Sequence, residues 1–264
     1  MSAFNRIKKG LLLGSTVIAV LSMSSLATAA EYEPGEDNVP ESMVYAIDLV
    51  SDGATVDPAV IKADLDYVTG MRAHHAGALT MSEDYLGQGR NPILRRLAQA
   101  IITNQRFEIA VLDDVKRQVE QPPKVLIDFG PAKLVLRPLA WEGLENRLAF
   151  IKAPIPSAAD YWMSPGSTAD AYDVRWAKAM IAHHQGALTM ARNYNADPNG
   201  RNNFLRLMNL DILRDQAYEI GFLEGLIRRY PGDANAITLD PSMVHGMPMT
   251  GPDHGPMDHK AMGH

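Results

Sequence analysis

"MRAHHAGALTM", residues 71–81, recurs 109 positions later as "MIAHHQGALTM", residues 180–190. Every other histidine of the chain lies in residues 241–264. The match continues outward from the two histidine pairs. Asp64 and Asp173 each stand seven residues before the first methionine of their copy. Downstream, "NQRFEIAVLDDVKRQ" (104–118) pairs with "DQAYEIGFLEGLIRR" (215–229), now at an offset of 111. The change of offset falls between "LGQGRNP" and "NADPNGRNN", where Gly, Pro and Asn punctuate the chain. Each repeat therefore reads as helix, loop, helix.

The apolar spacing agrees with helices. Leu65, Val68, Met71 and His75 follow one another at three and four residues, as do Leu97, Ile101, Gln105, Glu108 and Leu112. Asp57 followed by Pro58 is a helix start, with Asp as N-cap and Pro in the first turn. One helical hairpin buries little surface, and two of them packed together make a four-helix bundle. The expectation is an all-α chain: a pseudo-symmetric four-helix bundle within one domain, 30–240, built from repeats at about 57–120 and 170–230. The connection 121–170 carries Val125, Leu126, Ile127, Phe129, Leu134, Val135, Leu136 and Leu139 among its prolines. It is expected to pack on the bundle as a crossover, with a short helix over 139–150. A further short helix is expected over 41–50, and residues 31–40 are expected to be mobile.

Residues 1–29 read as an export signal. Arg6, Lys8 and Lys9 precede an apolar run from Leu11 to Leu21, and Ala27-Thr28-Ala29 offers a small-x-small cleavage site. That run is too short to cross a bilayer, and nothing after it would, so the processed chain is expected to be periplasmic or secreted and not membrane-embedded. The chain has no cysteine. Soft-metal chemistry would have to use thioether and imidazole, which suits an oxidising compartment. With 25 Lys and Arg against 31 Asp and Glu and no basic run, nucleic acid is not an expected partner.

On an α-helix Met71, His74, Ala78 and Met81 share one stripe, and Met180, His183, Ala187 and Met190 repeat it. The adjacent His75 and His184 point about 100° away from their neighbours. Each pair is thus expected to offer one inward and one outward imidazole. Methionine in a helix is usually core filler, and a lone histidine on an apolar face is usually structural. Here, however, nine of the twelve methionines after the leader sit in the two motifs or in residues 241–264, as do all eight histidines. Thioether favours Cu(I) and Ag(I), while imidazole accepts Cu(I), Cu(II), Zn(II) and Ni(II), so the mixture points to copper. Gln105, Glu108, Gln216 and Glu219, and also Asp64 and Asp173, are read either as hydrogen-bonding partners that orient the histidines or as ordinary polar positions. Gly77, Ala78, Gly186 and Ala187 are read as allowing close helix approach.

After Tyr230-Pro231-Gly232 the helical signals stop. Residues 241–264 hold Met243, His245, Met247, Met249, His254, Met257, His259, Met262 and His264, with four prolines and four glycines. This is expected to be a disordered, metal-binding tail.

The pattern M-x-x-H-H-x-x-A-x-x-M with a downstream Q-x-x-E-I, present in both halves, resembles that of the DUF305 family. The resemblance implies a ferritin-like helical bundle in an exported bacterial protein, and copper binding in copper resistance or homeostasis. Met71, His74, His75 and Met81 match the motif, as do Met180, His183, His184 and Met190. The sequence is therefore read as a non-enzymatic copper binder, preferring Cu(I), accepting Cu(II), and taking Ag(I) as a mimic. It would pass its copper to an efflux or delivery protein. The alternatives are a ferritin-like metal-dependent oxidase and a structural adaptor without metal. The oxidase is disfavoured because no Glu stands three residues before any of the four motif histidines.

Overall fold

The computed structural model describes residues 43–51, 53–141, 152–164 and 166–246. Residues 1–29, expected to be an export signal, the stretch 31–40, and Met247, Met249, His254, Met257, His259, Met262 and His264 lie outside the described residues.

Both repeats are helical hairpins, as the spacing predicts. The first is α1 (Pro58–Gln88) and α2 (Pro92–Val119); the second, after a short α3 (Ala158–Met163), is α4 (Ala171–Ala196) and α5 (Asn203–Arg228). Their starts are fixed by side-chain caps that satisfy otherwise orphaned amides. Asp57 accepts from the Ala59 amide at 2.9 Å, with Pro58 in the first turn. Asn91 and Asn202, equivalent in the repeat, accept from Ile93 and Leu94 and from Phe204 and Leu205. Asp170 and Asp173 form a reciprocal capping box at α4.

Helices α1 and α4 run antiparallel along a central seam. Near one end of the seam the Tyr194 hydroxyl donates to Asp64 at 2.5 Å; near the other, the Tyr85 hydroxyl donates to Asp173 at 2.6 Å. Each bond is the other displaced by the repeat, which gives the seam its pseudo-twofold symmetry. Asp64 and Asp173 are buried clasps, neither surface acids nor partners of the histidines.

The apolar core falls into two halves. One gathers Met81, Tyr85, Leu97 and Ile101 with Trp176, Met180, Leu223 and Leu226. The other gathers Val68, Met71, Leu112 and Val115 with Ala187, Ala191, Leu205 and Ile212.

The chain is not all-α. β1 (Met43–Ser51), β2 (Lys124–Asp128) and β3 (Ala132–Trp141) form an antiparallel sheet in the order β1-β3-β2. The segment expected as a helix over 41–50 is strand β1. Ala46 and Val50 point to the interior, and alternation of this kind satisfies its backbone only by pairing with β3, some ninety residues on. Residues 139–141, expected to begin a helix, end β3, and 142–150 lie outside the described residues. The crossover packs only in part: β3 lies on α2, whereas Val125 and Ile127 of edge strand β2 and Phe129 of the turn are exposed. The turn itself closes through Gly130 at φ +84°, whose amide donates to Asp128 at 2.8 Å. Arg137 of β3, 2% exposed, ties the sheet to the bundle by reaching both Asp48 and Asp64 at 3.1 Å.

The tail also departs from expectation at its start. Residues 241–243 make a 3₁₀ turn, and Met243 and Val244 pack against the half-core of Met81 and Met180. Composition alone suggested disorder here, but the segment gains order from the apolar surface it meets.

Candidate metal centre

Between the two half-cores lies a polar layer made by the duplicated motif. His74, His75, His183 and His184 are all fully buried, and Gln105, Glu108, Gln216 and Glu219 are nearly so. The expected outward imidazole of each pair does not exist. The 100° step that separates neighbours on a helix turns His75 and His184 toward the second helix of their own hairpin, not toward solvent.

His74 and His183 meet across the seam with ring centroids 3.8 Å apart and planes inclined by 42°. His183 Nε2 lies 3.0 Å from the His74 carbonyl oxygen, to which it donates. The mirror-image approach of His74 to the His183 backbone stops short of a formed hydrogen bond, and neither ring nitrogen of His74 has a partner among the described residues. His75 Nε2 lies 2.9 Å from Glu108 Oε2, and His184 Nε2 lies 2.8 Å from Glu219 Oε2, at angles short of regular hydrogen bonds. Lys152 adds a charge on one side only, 3.6 Å from Glu108 and 3.1 Å from Asp215.

These contacts assign the imidazole protons. A nitrogen facing a carbonyl carries the hydrogen, so Nε2 is protonated in His183 and its lone pair sits on Nδ1, while His75 and His184 turn Nε2 to a carboxylate and point Nδ1 away from it. The Nδ1 atoms of His75, His183 and His184 are each buried without a partner among the described residues. Burial, reinforced by the neighbouring His75 and His184, lowers His74 to about 3. Burial, with His74 and His184 behind it, lowers His183 further. Both rings are therefore neutral across ordinary pH, the form in which imidazole binds a metal. An orphaned buried polar atom costs about 1–3 kcal/mol. Several in one layer make a cluster shaped for something other than stability.

The donors do not form a ready-made polydentate cage. Among the described residues, no group of three His, Cys, Asp or Glu side chains is placed to hold a metal ion. The motif methionines flank the layer. Met71 is buried in one half-core, and Met81 and Met180 in the other; Met190 is half-buried beside the half-core of Met71. Met71 and Met81 are separated by ten residues of α1, about 15 Å along its axis, so one ion cannot use both. Gln105 and Gln216 have unpartnered amide atoms and do not orient the histidines, a task that falls to Glu108 and Glu219. Lys152 was not foreseen; it lies outside the repeat and has no counterpart in the periodic pattern. Gly77 makes room for the returning chain: a Cβ there would lie 2.5 Å from the carbonyl oxygen of His245.

A family described as "Domain of unknown function (DUF305)" matches residues 64–130 and 165–263. No curated protein matches the chain significantly. Among solved structures the chain is similar to CopM. The Ag-bound form obtained by soaking is 23% identical with a TM-score of 0.41, over 64% of this chain and 97% of that one. The Cu(I)-bound form gives 23% identity and a TM-score of 0.40 over 64% and 98%. The Cu(II)-bound form gives 22% and 0.39 over 61% and 93%. No described helix is long and apolar enough to cross a membrane.

Proposed function

The chain belongs to the DUF305 family, and from that premise and the buried histidine layer we propose that it binds copper as cargo. The observation that carries this reading is the set of four buried imidazoles with unpartnered nitrogens among the described residues, two of them, His75 and His184, backed by Glu108 and Glu219. A carboxylate behind a histidine fixes its tautomer and raises the basicity of the free nitrogen, the arrangement common at metal sites. Soft monovalent ions accept few donors, so the facing pair His74 and His183 suits Cu(I) better than it suits Zn(II), which takes three or four protein ligands.

The Met/His residues after Gly246 supply further donors of the same chemical character, without cysteine. The protein captures Cu(I), tolerates Cu(II), and releases copper to an efflux or delivery partner outside the cytoplasm. Copper is carried, not used as a catalyst.

The test is anaerobic loading of the full chain against a chromogenic Cu(I) chelator. More than one Cu(I) per chain is expected. Replacing His74 and His183 together, and separately removing residues 247–264, should each lower that number. A full-length protein that takes no Cu(I) from the chelator would overturn the proposal.

A further inference from the structure

After α5 the chain turns back across both helices that carry the histidines. Lys178 of α4 donates to the carbonyls of Ala234 and Ile237 at 2.7 and 2.8 Å. Ala234, Ile237, Leu239, Met243 and Val244 pack against the half-core that holds Met81 and Met180. The segment then seats its backbone on α1. A Cβ on Gly77 would come within 2.5 Å of the His245 carbonyl oxygen and 2.9 Å of the Gly246 nitrogen. Gly246 itself has φ +74°, and a Cβ there would lie 3.0 Å from the carbonyl oxygens of Ala73 and His74. The strap of residues 233–246 therefore rests on the same His74 peptide whose carbonyl holds His183.

We infer that this strap is a displaceable cover over the histidine layer, and that a soft monovalent cation reaches His74 and His183 when the strap lifts. The inference rests on the metal reading above and adds a route to it. Three observations argue for a cover. The layer beneath is fully buried, so an ion cannot enter without some movement. The strap meets α1 by close backbone approach at two glycines and by apolar packing of Met243 and Val244 on the half-core, with no ion pair or side-chain hydrogen bond to α1 among the described residues. It also carries Met243 and His245, the first donors of the Met/His segment, to the wall of the layer. A short surface segment of this kind can open locally at less than the free energy of global unfolding.

The experiment uses the full chain with silver nitrate in chloride-free buffer, comparing wild type with Gly77→Ala. Alanine favours helix over glycine, so α1 is not weakened while its new Cβ expels the strap. Hydrogen exchange over 233–246 reads strap displacement, and imidazole ¹⁵N resonances of His74 and His183 read silver arrival. Gly77→Ala should speed both, the arrival by at least about tenfold, with the final silver content unchanged. Faster strap exchange with unaltered arrival would overturn the cover and leave the metal site standing. Unaltered strap exchange would also overturn it. If silver never moves the His74 and His183 resonances in either protein, the metal reading itself fails and the cover falls with it. Lys178→Met, which removes the anchor on α4 instead, gives the same readouts should Gly77→Ala fold poorly.

Discussion

Helix α1 carries two buried polar residues ten positions apart, Asp64 and His74, and the fold treats them in opposite ways. Asp64 is fully partnered: Arg137 lies 3.1 Å from one oxygen and the Tyr194 hydroxyl 2.5 Å from the other. Arg137 in turn holds Asp48. His74 has no hydrogen-bond partner on either ring nitrogen among the described residues, and it faces His183. The first group ties the sheet to the bundle and closes one end of the helix seam. The second contributes nothing comparable, since unsatisfied buried groups weaken a fold. The second repeat keeps the contrast in part, since Asp173 is held by Tyr85 while His183 bonds through Nε2 and leaves Nδ1 open; on the copper reading proposed above, the open nitrogens are the ones an ion would use.

The largest expected effect is at Arg137. Replacing it with Met leaves Asp48 and Asp64 without their cation, and should lower stability by about 3–5 kcal/mol in urea melts. Copper content of the protein that remains folded should not change. A loss under about 1 kcal/mol would show that the partnered group is not the strut described here.

The open layer should behave in reverse. His74→Leu removes two orphaned nitrogens from an apolar setting, so the melting temperature should hold or rise, by up to about 1–3 kcal/mol equivalent, while silver binding falls. Unfolding of this variant with metal content preserved would make the layer structural and invert the comparison.

Titration of the metal-free protein separates the groups by sign. His74 and His183 protonate below about 6.5 when unfolded but only far lower when folded, so below pH 6.5 the unfolded state binds more protons and each costs stability as pH falls. Asp64 is pushed up by burial to about 6, an effect only partly offset by Tyr194 and Arg137. Between pH 6 and 4 the folded state therefore binds its extra proton there, and stability rises as pH falls. Two groups against one leave a net loss on the order of 1.4 kcal/mol per pH unit in that window. Replacing both His74 and His183 with Leu should turn that slope around, measured by urea melts at stepped pH.

The smallest effects are expected at the carboxylates. Glu219→Gln should weaken Cu(I) affinity about 10–100-fold with little change in melting, because it removes the group that orients His184. Glu108→Gln should do the same at His75 and, in addition, loosen Lys152, which Glu108 shares with Asp215. Equal melting behaviour of the two variants would mean that the Lys152 contact carries no weight.

The hairpins, the Asp57 cap and the placement of His74 and His183 on the inward stripe were legible in the sequence. They depend on relations within three to eleven residues, and duplication doubled the signal. The partners of Asp64 and Asp173 were not legible, because Tyr194 and Tyr85 come from the other repeat and only the antiparallel packing of α1 on α4 joins them. The same holds for Lys152, which reaches Glu108 from outside the motif.

The sequence by itself determined the two helical hairpins, the duplicated histidine motif and the absence of thiol chemistry, since helix periodicity, capping and donor type are local properties. Only the tertiary structure decided that residues 43–51 are a strand, that all four histidines are buried, and that the start of the Met/His segment is seated on Gly77. In each case the deciding energy comes from a surface far away in the chain: a strand edge to pair with, a second hairpin to exclude water, and an apolar half-core for Met243 and Val244 to cover.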